Sequence, residues 1–214
     1  MLYHPVRDIM TLVHGDDYAS AGNGEQMRWL QVELEKRFDI KTTVLGTEAG
    51  DLKEGKILNR VLRVTEAGWE LEADPRHADL FIEQLHFDGS KPVTTPGIED
   101  TEEQQGDEQE LRPWEVREYF GVAARGNYLG ADRPDVQFAV KEACRDMSAP
   151  TQRSLWRMRR VVRYLVGAPR LVWKYQWQPE TELIEVFADA NFAGCKLTRK
   201  STSGRGTHVG RSCH

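Results

Sequence analysis

The sequence has only three cysteines in 214 residues, Cys144, Cys195 and Cys213. They are odd in number, far apart and never in Cys-x-x-Cys spacing, which argues against a disulfide framework and against a zinc module; reduced thiols of an intracellular protein, cytoplasmic or nuclear, are expected. Cys213 beside His214 is a lone pair, too few donors for a tetrahedral metal site. Long apolar runs are also missing: none approaches the ~20 residues that a membrane span needs, so no membrane partner is expected. Met1 to Met10 holds His4, Pro5, Arg7 and Asp8 and does not read as a signal peptide. No internal repeat is present.

What is there is ordinary for a folded protein, with 39% hydrophobic and 29% charged residues. The net charge of -5 hides an asymmetry. Ile98 to Glu110 carries acids at Glu99, Asp100, Glu102, Glu103, Asp107, Glu108 and Glu110 and no base, while Thr151 to Lys174 carries bases at Arg153, Arg157, Arg159, Arg160, Arg163, Arg170 and Lys174 and no acid. Local charge therefore says more about partners than the total.

Hydropathy patterning divides the chain. Ile9 to Val13, the turn Gly15-Asp16-Asp17 and the residues after it read as a β-hairpin. Glu25 to Phe38 is amphipathic at helical spacing, with Asn23 as its N-cap. Lys56 to Val64 and Glu70 to Glu72 read as two strands. Asp74 and Pro75 open a helix to Leu85. Lys91 to Gly97 is too rich in proline for a helix and leads into the acidic stretch, taken as a solvated linker. Helices then follow at Arg117 to Leu129, from Arg133-Pro134-Asp135 to about Met147 with Asp132 as cap, and from Thr151 to Val166, closed by Gly167. Leu171 to Trp177, Leu183 to Ala188 and a segment within Gly204 to Gly210 read as strands. The fold class is α+β.

Two features carry chemistry. A carboxylate pair at a hairpin turn suits Mg²⁺, which takes hard oxygen ligands, and two such ions serve nucleotidyl transfer. Gly-Asp-Asp is also a common surface turn, because both residue types are favoured there for backbone reasons. Arg153, Arg157, Arg160 and Arg163 recur every three or four residues on one helix face, a stripe able to neutralise phosphates. A solvated face, or one docked on the acidic linker, reads equally well.

Several motifs together resemble copia-type retrotransposon Pol polyproteins. His14-Gly15-Asp16-Asp17-Tyr18 is similar to their Tyr-x-Asp-Asp hairpin, with His14 in place of the aromatic residue, and Val93-Thr94-Thr95-Pro96 to the segment that closes their polymerase part. Arg133-Pro134-Asp135, Phe138-Ala139-Val140, Met147 to Thr151 and Arg159 to Gly167 resemble their connection region. Ile184 to Gly194 with Thr198 to Gly204 resembles their ribonuclease H entry, with Asn191 for an aspartate and Phe192 for a tryptophan.

The resemblance implies the end of a reverse-transcriptase palm and its thumb over residues 1–97 and a linker at 98–110. It implies a helical connection over 111–178 and the first strands of a ribonuclease H-like domain over 179–214. It further implies Asp16, Asp17 and Asp189 as catalytic Mg²⁺ ligands, with template-primer or hybrid duplex as partner. Arg153, Arg157, Arg160, Arg163, Arg199 and Lys200 are the candidate nucleic-acid contacts. The family's other palm aspartate and later ribonuclease H acids are not in this sequence, so both sites are expected to be incomplete and the isolated chain inactive. The alternatives are a nucleic-acid-binding relic gripping through the arginine helix and a non-functional fragment of a degraded element.

Overall fold

The computed structural model of the chain describes residues 1–86, 89–98, 108–179, 181, 183–195 and 198–210. Most of the acidic stretch (99–107) and the Cys213-His214 pair lie outside them. The described residues form nine strands and five helices, an α+β content. No helix among them is long and apolar enough to cross a membrane. Two compact units are distinguishable: one of Met1–Leu58, Leu62–Glu70 and the described residues from Lys174 on, the other of Asn59–Val61 and Leu71–Trp173.

In the first unit, β1 (Leu2–His4), β2 (Ile9–His14) and β3 (Asp17–Ala21) make an antiparallel sheet in that order. His14 pairs with Asp17, which leaves Gly15 and Asp16 as a two-residue turn. Gly15 has φ 63°, the sign that a II′-like turn requires at its first central position and that glycine adopts without a Cβ penalty. Helix α1 (Gly24–Glu35) follows, and Asn23 Oδ1 accepts the Glu25 N–H at 3.0 Å as its cap. Arg7 lies 3.8 Å over the Trp29 ring and donates to Gln26 Oε1 at 2.6 Å, tying the strand β1–β2 connection to the helix.

The segment expected as one strand, Lys56 to Val64, is two: β4 (Glu54–Ile57) and β5 (Arg60–Thr65). Leu58 (φ 48°) and Asn59 (φ 62°) turn the chain between them. Two consecutive positive φ angles make a I′-type hairpin, and only Asn59 advertises it; leucine at such a φ is strained. β6 (Gly68–Glu72) and β7 (Val172–Gln176) complete a sheet in the order β4–β5–β6–β7. β8 (Ile184–Asn191) and β9 (Thr202–Val209) form an antiparallel ribbon whose side chains are almost all exposed.

The second unit holds the main core. Helix α2 (Arg76–Gln84) starts where Asp74 Oδ1 accepts the Arg76 N–H at 3.1 Å, with Pro75 already in helical conformation. Helix α3 (Pro113–Gly130) begins four residues earlier than periodicity alone indicates. Pro113 occupies its first turn, and the Glu115 carboxylate accepts the Arg112 N–H at 2.8 Å. The N-cap position of helix α4 (Pro134–Cys144) is Arg133, with no side-chain cap bond, and not Asp132; Asp132 instead accepts from Arg60 Nε at 2.7 Å, the ion pair raising the Arg60 pKa. Helix α5 (Gln152–Gly167) opens on Thr151, whose backbone N–H donates to Ser154 Oγ at 3.2 Å.

Tyr119, Val122, Ala123 and Leu129 of α3 pack with Val136, Val140 and Ala143 of α4 and Leu155, Met158, Val161, Val162 and Leu165 of α5, and Phe81 of α2 fills the space among them. Each such large apolar side chain contributes roughly 1.5–3 kcal/mol by leaving water.

Candidate functional site

Asp16 and Asp17 sit at the tip of the β2–β3 hairpin, one in the turn and one as the first residue of β3. Both are exposed, and neither carboxylate accepts a hydrogen bond from another described residue. Strand alternation places Leu12, His14, Asp17 and Ala19 on one face, and these line a shallow cleft of about 110 Å³ with Lys56 and Leu58 of the following hairpin. His14, in the position of the aromatic residue, is therefore a wall of this cleft. Two adjacent carboxylates with free acceptor oxygens fit a hard divalent cation by donor type. By donor number they do not suffice: no group of three or more His, Cys, Asp or Glu residues able to hold a metal occurs among the described residues.

Asp189 does not end its strand. β8 continues to Asn191, and Asp189 pairs with Gly204 across the ribbon. Its neighbours on the same face are Phe187, edge-on to His208 at 5.2 Å, and Asn191. Asn191 Oδ1 accepts the Thr202 N–H and so fastens the mouth of the loop that carries Arg199 and Lys200. Both of those side chains are exposed, and Arg199 has φ 57°.

The arginine stripe of α5 is largely engaged within the protein. Arg157 pairs with Asp146 at 3.5 Å, Arg160 Nη2 donates to Thr95 Oγ1 at 2.9 Å, and Arg163 Nε donates to the Lys91 carbonyl at 2.9 Å. Arg153 is half-buried as well. Thus the helix grips the segment Lys91–Thr95 with the side chains proposed for phosphates, and among its last three turns Arg159 is the exposed arginine.

The best-built polar cluster is one that sequence reasoning marked only as a helix start. The Arg133 guanidinium, 2% exposed, donates to both oxygens of Asp135 (2.9 and 2.7 Å) and to the carbonyls of Ala168 (2.8 Å) and Pro169 (3.0 Å). Tyr164 donates its hydroxyl to Asp135 at 3.0 Å. Burial pushes the Asp135 carboxyl up, but the Arg133 and Tyr164 bonds outweigh it and hold the group below the ordinary carboxylate range. The cluster joins the start of α4 to the end of α5, and the cation satisfies carbonyls that the helix C-terminus leaves open. The signal that could have shown this was the Arg-x-Asp spacing at a helix start followed by a tyrosine near the next helix end.

No family model matches the chain, and no solved structure matches it significantly. Among curated proteins, it is 26% identical over 208 residues to the Retrovirus-related Pol polyprotein from transposon RE1 of Arabidopsis thaliana, an alignment covering 94% of this chain. It has the same identity and coverage to the corresponding polyprotein from transposon RE2. The chain is similar to retrovirus-related Pol polyproteins of plant transposons. A third relative is an uncharacterized mitochondrial protein of the same plant, 27% identical over 136 residues, which cover 63% of this chain and 55% of that protein. The chain spans 13% of the length of each Pol polyprotein. Because the likeness runs through 94% of the chain, it is not confined to a single motif or to the helical half alone.

Proposed function

We propose that this chain is a segment of the polymerase and ribonuclease H portion of a retrotransposon Pol polyprotein. In this reading Asp16 and Asp17 serve RNA-directed DNA synthesis, and Asp189 serves hydrolysis of the RNA strand of a hybrid. The observation that carries it is the display of two consecutive carboxylates, with free acceptor oxygens, at a two-residue hairpin turn. Magnesium, when bound, would activate the primer 3′-hydroxyl and hold the triphosphate. The chain's own contribution is positional: the paired strands fix the backbone, Asp17 lines the cleft where template-primer would lie, and Asp16 stands beside it in the turn.

The isolated chain is expected to turn over neither substrate, because a pair or a single carboxylate is too small a ligand set for two ions. Primer extension with the purified chain and Mg²⁺ should give no product above background. Extension that Asp16→Asn abolishes would overturn the inactivity of the isolated chain. Within a complete polyprotein carrying this segment, Asp16→Asn should remove extension, and Asp189→Asn should remove hybrid cleavage and leave extension intact. Loss of neither activity would sink the assignment of these aspartates.

A second reading rests on the seven bases without an acid between Thr151 and Lys174. It makes the helical unit a sequence-independent grip on duplex. Affinity for an RNA–DNA hybrid should then fall about tenfold or more between low and moderate salt, as phosphate neutralisation requires, and fall further in Arg157→Glu with Arg160→Glu. Binding indifferent to salt, or to those charges, would count against it. Since Arg157, Arg160 and Arg163 already hold protein partners, duplex must compete with Asp146 for the first and with the Lys91–Thr95 segment for the other two.

A further inference from the structure

The segment Lys91–Gly97 runs across α5 without regular secondary structure. Its described polar ties to the helix are few: Arg163 Nε to the Lys91 carbonyl, the Val93 N–H to the Arg163 carbonyl at 3.4 Å, and Arg160 Nη2 to Thr95 Oγ1. Pro92 packs against the end of the helix, where a Cβ on Gly167 would stand 2.9 Å from Pro92 Cβ. Thr94 and Thr95 are exposed, and Thr95 precedes Pro96. A threonine followed by proline, on an extended exposed stretch held by a handful of bonds, is reachable by an enzyme that needs a peptide peeled briefly from its parent.

The helix beneath is unusually ready for the product. Arg160 already contacts the Thr95 hydroxyl oxygen, yet its Nε is buried and has no hydrogen-bond partner. A buried N–H without an acceptor costs roughly 1–3 kcal/mol, and the single hydroxyl oxygen takes only the Nη2 arm of the side-on Nε/Nη2 fork. A phosphoryl group in its place brings three strong acceptor oxygens and nearly two negative charges. Acids are absent from the whole of α5, so nothing on that helix repels it. Arg163, one turn further along, adds positive potential to the same face.

We propose that Thr95 is a phosphorylation site for a proline-directed protein kinase and that the phosphothreonine clamps the Lys91–Gly97 segment to α5 through Arg160. The Thr95 Oγ attacks the γ-phosphorus of a nucleoside triphosphate. The new O–P bond forms as the bond to the bridging oxygen breaks, the nucleoside diphosphate leaves, and the hydroxyl proton passes to the kinase's base. The guanidinium then donates to phosphate oxygens from both Nη2 and Nε, a paired arrangement stronger than either bond to a neutral hydroxyl. The clamp stabilises the helical unit and does not depend on the catalytic reading of the aspartates.

The test uses the full chain, a proline-directed kinase and MgATP, with fragment mass spectrometry to place the phosphate and thermal unfolding to read the clamp. Phosphate is expected at Thr95, retained in Thr94→Ala and absent from Thr95→Ala. The phosphorylated chain should unfold about 2–4 °C above the unmodified one, and Arg160→Gln should accept phosphate but show no rise. Thr95 left unmodified while a control Thr-Pro peptide is phosphorylated would overturn the site. A Tm unchanged or lowered by phosphorylation, or a rise that survives in Arg160→Gln, would overturn the clamp.

Discussion

Replacing Arg133 by alanine is expected to destabilise the helical unit by about 3–5 kcal/mol, the cost of removing one partner from a buried ion pair. The side chain is 2% exposed and donates four hydrogen bonds. Its loss strands the half-buried Asp135 carboxylate and removes the donors from the carbonyls of Ala168 and Pro169. Arg133→Lys should recover only part, because one ammonium cannot reproduce a fork that meets a carboxylate and two carbonyls at once. Denaturant titration at neutral pH measures both, and an alanine variant within 1 kcal/mol of wild type would remove the cluster from any structural role.

The same cluster sets a pH signature. Asp135 is held below the ordinary carboxylate pKa in the folded chain, so the unfolded chain binds its proton more readily. Its contribution is therefore complete above about pH 4, the ordinary value, and is lost as pH falls from there through the folded value. Asp135→Asn should flatten that acid limb while lowering stability at neutral pH.

The second large effect is expected from Phe81→Ala, at about 3–5 kcal/mol. Phe81 is fully buried, and the ring occupies space that exists because residue 126 of α3 is glycine. A Cβ at Gly126 would lie 3.0 Å from Phe81 Cζ and 3.1 Å from Val140 Cγ1, tighter than packed atoms tolerate without shifting. In wild type, Gly126→Ala should therefore cost stability despite the better helix propensity of alanine. In the Phe81→Ala background the sign should reverse, since the added methyl enters the cavity and the helix gains alanine's propensity. A double-mutant cycle by thermal or chemical unfolding gives the coupling; additive effects would mean that the ring and the glycine do not share one space.

Much of this architecture was readable in the residues. Asn23 as a cap, the amphipathic run after it, the hairpin turn at Gly15 and the closing of α5 near Gly167 each follow from local chemistry with a short reach, though Asp17, read as part of the turn, already belongs to β3. What was not readable depended on partners distant in sequence or on a residue against its type. Leu58 gives no sign of a positive φ, so the β4–β5 hairpin was hidden inside a continuous strand pattern. Asp132 looks like the cap of α4, but Arg60 claims it, and the N-cap position is Arg133, which makes no cap bond. The arginines of α5 show their periodicity plainly; that they hold Lys91 and Thr95 depends on a chain reversal no helical wheel displays. Asp16, Asp17 and Asp189 were legible as chemistry only through resemblance to a family, because no local pattern marks an exposed carboxylate as a ligand.

The bonds of Arg133 also impose an order in time. Helices α3, α4 and α5 follow one another directly, so their mutual contacts close short loops and form early in folding. Yet the guanidinium at the head of α4 finds two of its acceptors only at Ala168 and Pro169, beyond the far end of α5. While the chain emerges from a ribosome, N-terminus first, the first two of these helices can meet on their own, but Arg133 stays incompletely paired until residue 169 has cleared the exit. The cluster around Arg133 is therefore completed late in synthesis, when the two residues that follow α5 bring their carbonyls to an arginine at the head of α4.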